Sequence, residues 1–191
     1  LVNFKLRHIC VFSIKKLMKS KGNIVFLGMM GSGKSSIGSL ISKKLGMDFF
    51  DIDQTIEKEL KMKISEIFKI KGENYFRKFE EKISLEILKK KSIVIALGGG
   101  TFLNKNIRKV ILNDHLSFWL KLNSNEIIKR IKNNPKRPIA FKSTNNDLFK
   151  LIKKRSNIYS KALYKINCNN LTKIETVNKI LSLYEREKIN N

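Results

Sequence analysis

The segment Gly28-Met29-Met30-Gly31-Ser32-Gly33-Lys34-Ser35 fits the pattern G-x-x-x-x-G-K-[ST] and stands between a short apolar run and an amphipathic stretch. Glycines leave room for successive backbone N–H groups to wrap phosphate oxygens, and the start of a helix adds its dipole. Lys34 would then reach the β- and γ-phosphates, and the Ser35 hydroxyl can ligate Mg²⁺. Gly31, Ser32, Gly33, Lys34, Ser35 and Ser36 are the expected nucleotide-binding set. A simple glycine turn before a helix explains neither Lys34 nor Ser35. Switches, motors and small-molecule kinases share this loop, so a bound nucleotide does not yet name a reaction.

Two further clusters narrow the chemistry. Asp51-Ile52-Asp53 follows an apolar run, at the strand end where ligands collect in open α/β sheets. One carboxylate can hold a Mg²⁺ ion with Ser35, which assigns Asp51 to the metal. The other, Asp53, can face an acceptor hydroxyl. The plainer alternative is that Asp53 caps the next helix. Gly98-Gly99-Gly100 ends the clearest strand run of the chain, and three glycines in a row suit a backbone that a ligand approaches closely. Six of the ten glycines lie in these two loops. Phe76-Arg77-Lys78-Phe79-Glu80 puts an arginine and a glutamate on one helix side, where an i,i+3 surface ion pair is the ordinary reading.

The charge balance points the same way. The chain has 191 residues with 40 Lys+Arg against 16 Asp+Glu, a formal net charge of +24. Lysines are spread along its whole length, which argues for composition bias over a patch built for nucleic acid. Only seven of the basic residues are arginine: Arg7, Arg77, Arg108, Arg130, Arg137, Arg155 and Arg186. A guanidinium grips carboxylates and phosphates bidentately, so arginines in a lysine-rich chain mark places where an ammonium does not serve. Cys10, Cys168, His8 and His115 are isolated from one another and suggest neither a disulfide framework nor a metal site. No apolar stretch approaches the length of a membrane span.

The elements that must carry these residues alternate. Ile24 to Leu27, Phe49 to Ile52, Ile93 to Leu97, Ser117 to Leu122 and a short stretch near Lys165 to Asn167 read as strands. Helices are expected over 36–45, as two short pieces within 53–71, and over 74–90, 124–132, 147–160 and 174–187. Alternation of this kind predicts an α/β three-layer sandwich around a five-stranded parallel sheet. Residues 1–22, basic and without acidic residues, read as an N-terminal extension, and 23–191 as one domain. Both prolines fall in the loop around 133–146.

Taken in order, the phosphate loop, Phe50-Asp51-Ile52-Asp53, Gly72-Glu73…Phe76-Arg77…Glu80, Ala96-Leu97-Gly98-Gly99-Gly100, Arg130…Arg137-Pro138 and Arg155…Tyr159 resemble shikimate kinases from Asn23 to the last helix. The resemblance implies a P-loop fold of the nucleoside monophosphate kinase type with a mobile lid. It implies phosphate transfer from ATP, with one Mg²⁺, to the 3-hydroxyl of shikimate, on the route to aromatic amino acids. Arg77 and Arg155 would hold the acceptor's carboxylate, and Asp53 would contact its hydroxyls as general base. Gly99 and Gly100 would offer backbone N–H groups, and Glu80 would orient its neighbours. Arg137 would be the lid arginine that closes on the phosphates, and Arg130 would stack near adenine. Two stretches depart from the family pattern: Pro135 to Ala140 in the lid, and Asn167-Cys168-Asn169-Asn170 where adenine is expected.

Other acceptors remain open on the residues alone. A gluconate or nucleotide kinase shares the loop, but Arg77, Arg155 and Asp53 suit a small hydroxylated carboxylate better. A nucleotide-driven switch or nucleic-acid-associated ATPase leaves the glycine turn and the arginine pair unexplained. The expected partners are ATP and shikimate, with no specific nucleic acid and no membrane. A monomer in the cytoplasm is expected, the latter in keeping with two cysteines.

Overall fold

The computed structural model describes residues 22–132 and 144–189. Five strands, β1 (Ile24–Leu27), β2 (Asp48–Asp51), β3 (Ile93–Ala96), β4 (Leu116–Lys121) and β5 (Tyr164–Asn167), form one sheet in the order β2-β3-β1-β4-β5. All four pairings are parallel. The helices are α1 (Lys34–Leu45), α2 (Ile52–Leu60), α3 (Ile64–Leu88), α4 (Lys105–Asp114), α5 (Ser124–Lys132), α6 (Asn145–Tyr159) and α7 (Lys173–Ile189), with a 3₁₀ turn at Thr101–Leu103.

Strand alternation divides the core in two. Val25, Leu27, Ile93 and Ile95 face a layer formed by α2 to α6, where Ile56, Ile67, Phe76, Ile107, Ile127 and Ile152 bury their side chains. Ile24, Phe26, Val94 and Phe118 face α1 and α7, represented by Ile37, Ile41, Val177 and Ile180. Each fully buried side chain of this kind contributes about 2 kcal/mol relative to leaving it in water. A single helix cap contributes about 1 kcal/mol, so the two apolar layers, more than any turn, decide the architecture.

The caps decide where helices begin and end. Gly46, at φ 64°, closes α1 and donates its N–H to the Ser42 carbonyl. Asp51 precedes α2 and accepts from Gln54 N at 3.2 Å. The cap is therefore Asp51, and Asp53 lies in the first turn. Gly72, at φ 79° and ψ 167°, breaks α3 into the two helices expected on either side of it. Thr144 caps α6 in a reciprocal pair with Asp147, and residues 145 and 146 are already helical, so the loop expected to reach 146 ends sooner. Gly22 N donates to Asp114 O at 2.8 Å, which attaches the chain one residue before the expected domain edge. The extension at 1–21, His8, Cys10 and most of the lid, including Arg137, lie outside the described residues.

The region 101–116 had no predicted element, yet it carries the 3₁₀ turn and α4. Ile107, Val110 and Ile111 recur at i, i+3 and i+4 and face the core, so this helix has the periodicity of the others. Its start is set by Asn104, whose side chain accepts from Asn106 N at 2.8 Å and Ile107 N at 3.1 Å.

Candidate active site

The first glycine-rich loop joins β1 to α1 at the carboxyl end of the sheet, between the ends of β3 and β4. Gly28 takes φ 140° there, and a Cβ on it would sit 2.8 Å from the Leu120 carbonyl oxygen. No other residue fits that point. Lys34 is nearly buried, and its ammonium donates to the Gly28 and Met29 carbonyls, each at 3.0 Å. Ser35 and Ser36 are exposed at the start of α1. The Ser35 hydroxyl donates to Asp51 Oδ2 at 2.5 Å, so the residues expected at the metal already touch.

The second glycine turn lies against the first. A Cβ on Gly99 would be 3.4 Å from Met30 N of the phosphate loop. Each glycine of the turn is approached by a different helix. On Gly98, a Cβ would lie 2.4 Å from Asp53 Oδ1 of α2. On Gly100, it would lie 2.7 Å from Arg77 Nη1 of α3. Arg155 of α6 donates from Nη1 to the Gly99 carbonyl at 3.1 Å. The Tyr159 hydroxyl, one turn further along α6, donates to the same oxygen. Burial pushes the Tyr159 phenol up to about 12, so it remains a protonated donor at neutral pH. Close packing of charged groups thus leaves no room for a Cβ at Gly98 or Gly100, whereas one on Gly99 would meet its neighbours at ordinary contact distance.

Arg77 is positioned from two sides. Nη1 donates to Glu80 Oε2 at 2.8 Å, and Nε to Glu73 Oε1 at 3.2 Å. Its guanidinium also lies 5.1 Å from the Phe76 ring centre and 5.8 Å from that of Phe68. Burial works against its charge, but the carboxylates of Glu80 and Glu73 more than compensate and hold its proton above the ordinary arginine value. The i,i+3 ion pair expected from sequence therefore exists, but it is not a surface pair: the Glu80 side chain is only 4 % exposed.

Arg130 donates from Nη1 to the Gly31 carbonyl at 3.3 Å and from Nε to Glu126 at 2.7 Å, so it borders the phosphate loop from α5. Asn169 accepts from Asn123 N at 2.8 Å, which ties the loop after β5 to the end of β4. The structure thus brings together Lys34, Ser35, Asp51, Asp53, Arg77, Glu80, Gly99, Gly100 and Arg155 around two adjoining loops. Arg137 cannot be placed among them. Thr101, whose hydroxyl donates to Glu80 at 2.7 Å, had no sequence signal of its own beyond its closeness to the glycine turn. Arg108, marked only as one of the seven arginines, holds the Phe102 and Leu103 carbonyls at 3.0 and 2.9 Å.

With this geometry in place, similarity to known proteins is informative. The family model described as shikimate kinase matches residues 30–185. The shikimate kinase of Bartonella quintana is 41% identical over 165 residues, covering 84% of this chain and 79% of that protein. That of Thermodesulfovibrio yellowstonii is 42% identical over 165 residues, covering 86% of this chain and 95% of its own. Among solved structures, shikimate kinase from Acinetobacter baumannii in complex with shikimate superposes with a TM-score of 0.82 at 28% identity. That superposition covers 91% of this chain and 98% of the other.

Proposed function

This chain belongs to the shikimate kinase family, and from that premise we propose how its own residues carry phosphate from ATP to the 3-hydroxyl of shikimate. The observation that carries the assignment of roles is the convergence of Asp53, Arg155 and Arg77 on three consecutive glycines beside the phosphate loop. A small acceptor with a carboxylate at one end and hydroxyls at the other suits that arrangement.

In this reading the backbone of Gly31 to Ser36 holds the ATP phosphates, and Lys34 turns from its own loop carbonyls to the phosphate oxygens. Arg77 and Arg155 take the shikimate carboxylate, with Gly99 and Gly100 offering N–H groups. Glu80 fixes Arg77. Asp53 accepts the proton of the attacking hydroxyl. Arg130 lies on the nucleotide side of the loop, and Arg137 serves from the lid over the transferring phosphate.

The exposed Ser35 hydroxyl and the half-buried Asp51 carboxylate, in contact with each other, are hard oxygen donors that fit one Mg²⁺ ion shared with the ATP phosphates. When bound, that ion neutralises charge on the β- and γ-phosphate oxygens. The protein's part is to present two oxygens at a fixed spacing beside the loop.

We read the chain from Gly22 onward as a single catalytic domain, with a lid between α5 and α6 and a basic extension ahead of Gly22. The uninterrupted family match over 30–185 supports the single domain. The chain is further read as a cytoplasmic monomer without a specific nucleic-acid partner, in keeping with its scattered lysines and two cysteines. Among the described residues no helix is long and apolar enough to cross a membrane. The test is ADP release coupled to shikimate, gluconate and nucleoside monophosphates as rival acceptors. Turnover should require shikimate; turnover on another acceptor with none on shikimate overturns the reading.

A further inference from the structure

Glu80 is 3 % exposed, and a carboxylate so placed needs a partner for each oxygen. Oε2 accepts from Arg77 Nη1 at 2.8 Å. Oε1 accepts from the hydroxyl of Thr101 at 2.7 Å. Thr101 is fully buried and opens the 3₁₀ turn directly after Gly98 to Gly100. That turn is held from outside by Arg108 on the Phe102 and Leu103 carbonyls, so the hydroxyl has a fixed mounting.

The same hydroxyl stands close to Asp53. The point where a Cβ on Gly98 would sit is 2.4 Å from Asp53 Oδ1, 2.8 Å from Thr101 Oγ1 and 3.1 Å from Glu80 Oε1. Two carboxylates therefore approach one glycine, with a single hydroxyl proton near both. A threonine hydroxyl donates once. Here the proton goes to Glu80.

Arg77, meanwhile, has a second carboxylate available. Glu73 contacts it at 3.2 Å but is 63% exposed, against 4% for Glu80. An anchored Glu80 holds the guanidinium against Gly100; a loosened one releases it toward Glu73 and solvent.

We propose that Thr101 is a positioning residue for the reaction: its hydroxyl clamps Glu80 Oε1, so that Oε2 aims Arg77 at the acceptor's carboxylate, beside Asp53. This rests on the shikimate kinase reading. A residue that merely filled space would be replaceable by valine, which has the same shape without the hydroxyl, whereas serine keeps the hydroxyl and loses a buried methyl.

The experiment compares wild type, Thr101→Val and Thr101→Ser in steady-state kinetics and thermal melting. Thr101→Val should raise KM for shikimate about tenfold, with KM for ATP unchanged and kcat affected less. Thr101→Ser should recover the shikimate KM while melting at a lower temperature than wild type. If Thr101→Val does not fold, the same quantities are read on Thr101→Ala. An unchanged shikimate KM in a folded variant lacking the hydroxyl overturns the role of Thr101, as does a serine variant no better than valine. A wild-type protein without shikimate turnover overturns the functional reading and this role with it.

Discussion

Arg155 and Tyr159, one helical turn apart on α6, donate to the same acceptor, the carbonyl oxygen of Gly99. The carbonyl is thereby held by two donors from the same helix. Tyr159→Phe removes one donor and keeps the ring that packs 6.0 Å from Trp119. The expected cost is about 1 kcal/mol of stability, read as a lower melting temperature. A severalfold rise in KM for shikimate should accompany it, because the turn proposed to receive the acceptor is no longer fixed from two points.

Arg77→Lys separates grip from charge. An ammonium keeps the positive charge near Glu80 but cannot bridge two oxygens of a carboxylate. KM for shikimate should rise by about tenfold or more while KM for ATP changes little. Equal loss of both affinities would mean that Arg77 supports the fold and not the acceptor.

Asp53→Asn removes the proposed proton acceptor at nearly constant shape. Turnover should fall about a hundredfold or more, with ATP affinity in a direct binding assay preserved. Near-normal turnover would remove Asp53 from the mechanism.

Asp51 is in contact with Ser35 and also caps α2. Asp51→Asn keeps a capping oxygen, since asparagine caps as well as aspartate. The helix should therefore survive, and the magnesium concentration for half-maximal activity should rise. Addition of EDTA to the wild type should abolish turnover, and excess Mg²⁺ should restore it. A magnesium titration on both proteins checks this.

His115 supplies a pH dependence remote from the site. It is 5% exposed, and its Nδ1 accepts from Asn23 N at 3.2 Å. Burial lowers its affinity for a proton, with Asp114 opposing more weakly. Below about pH 6.5 the unfolded chain takes up a proton that the folded protein resists, so stability falls as pH falls and levels off below the depressed folded value. Melting temperatures measured from about pH 7.5 to 5.5 should decline more in wild type than in His115→Gln. Parallel decline would assign the effect to other groups.

Much of this was legible in the chain because it is local. Ile24 to Leu27 is a short β-branched and aromatic run, and all four residues are fully buried. The phosphate loop and the helix stops at Gly46 and Gly72 likewise announce themselves by residue type. What was not legible depends on distant partners. Thr101 meets Glu80 across 21 residues, and no spacing rule connects them. Asn23, 1% exposed, donates to the Leu88 and Lys90 carbonyls and accepts from Ile93 N, a tie that exists only once β1 and β3 are paired. The capping oxygen proved to be that of Asp51 because the strand runs one residue short of the expected Ile52. Neighbouring carboxylates cannot be told apart until the strand end is known.

The turn at Gly98 to Gly100 has one more consequence. Asp53, Arg155 and Arg77 reach it from three different helices, so they do not lie along one line of the chain. In the proposed reading both arginines share one carboxylate, so the acceptor is held at two of its groups, and the turn sets the distance between them. Such an acceptor would be selected by the reach from carboxylate to hydroxyl as well as by charge. Inverting the carbon that bears the reacting hydroxyl would leave the carboxylate held and the oxygen turned away from Asp53. Such an epimer should occupy the pocket as an inhibitor without becoming a substrate.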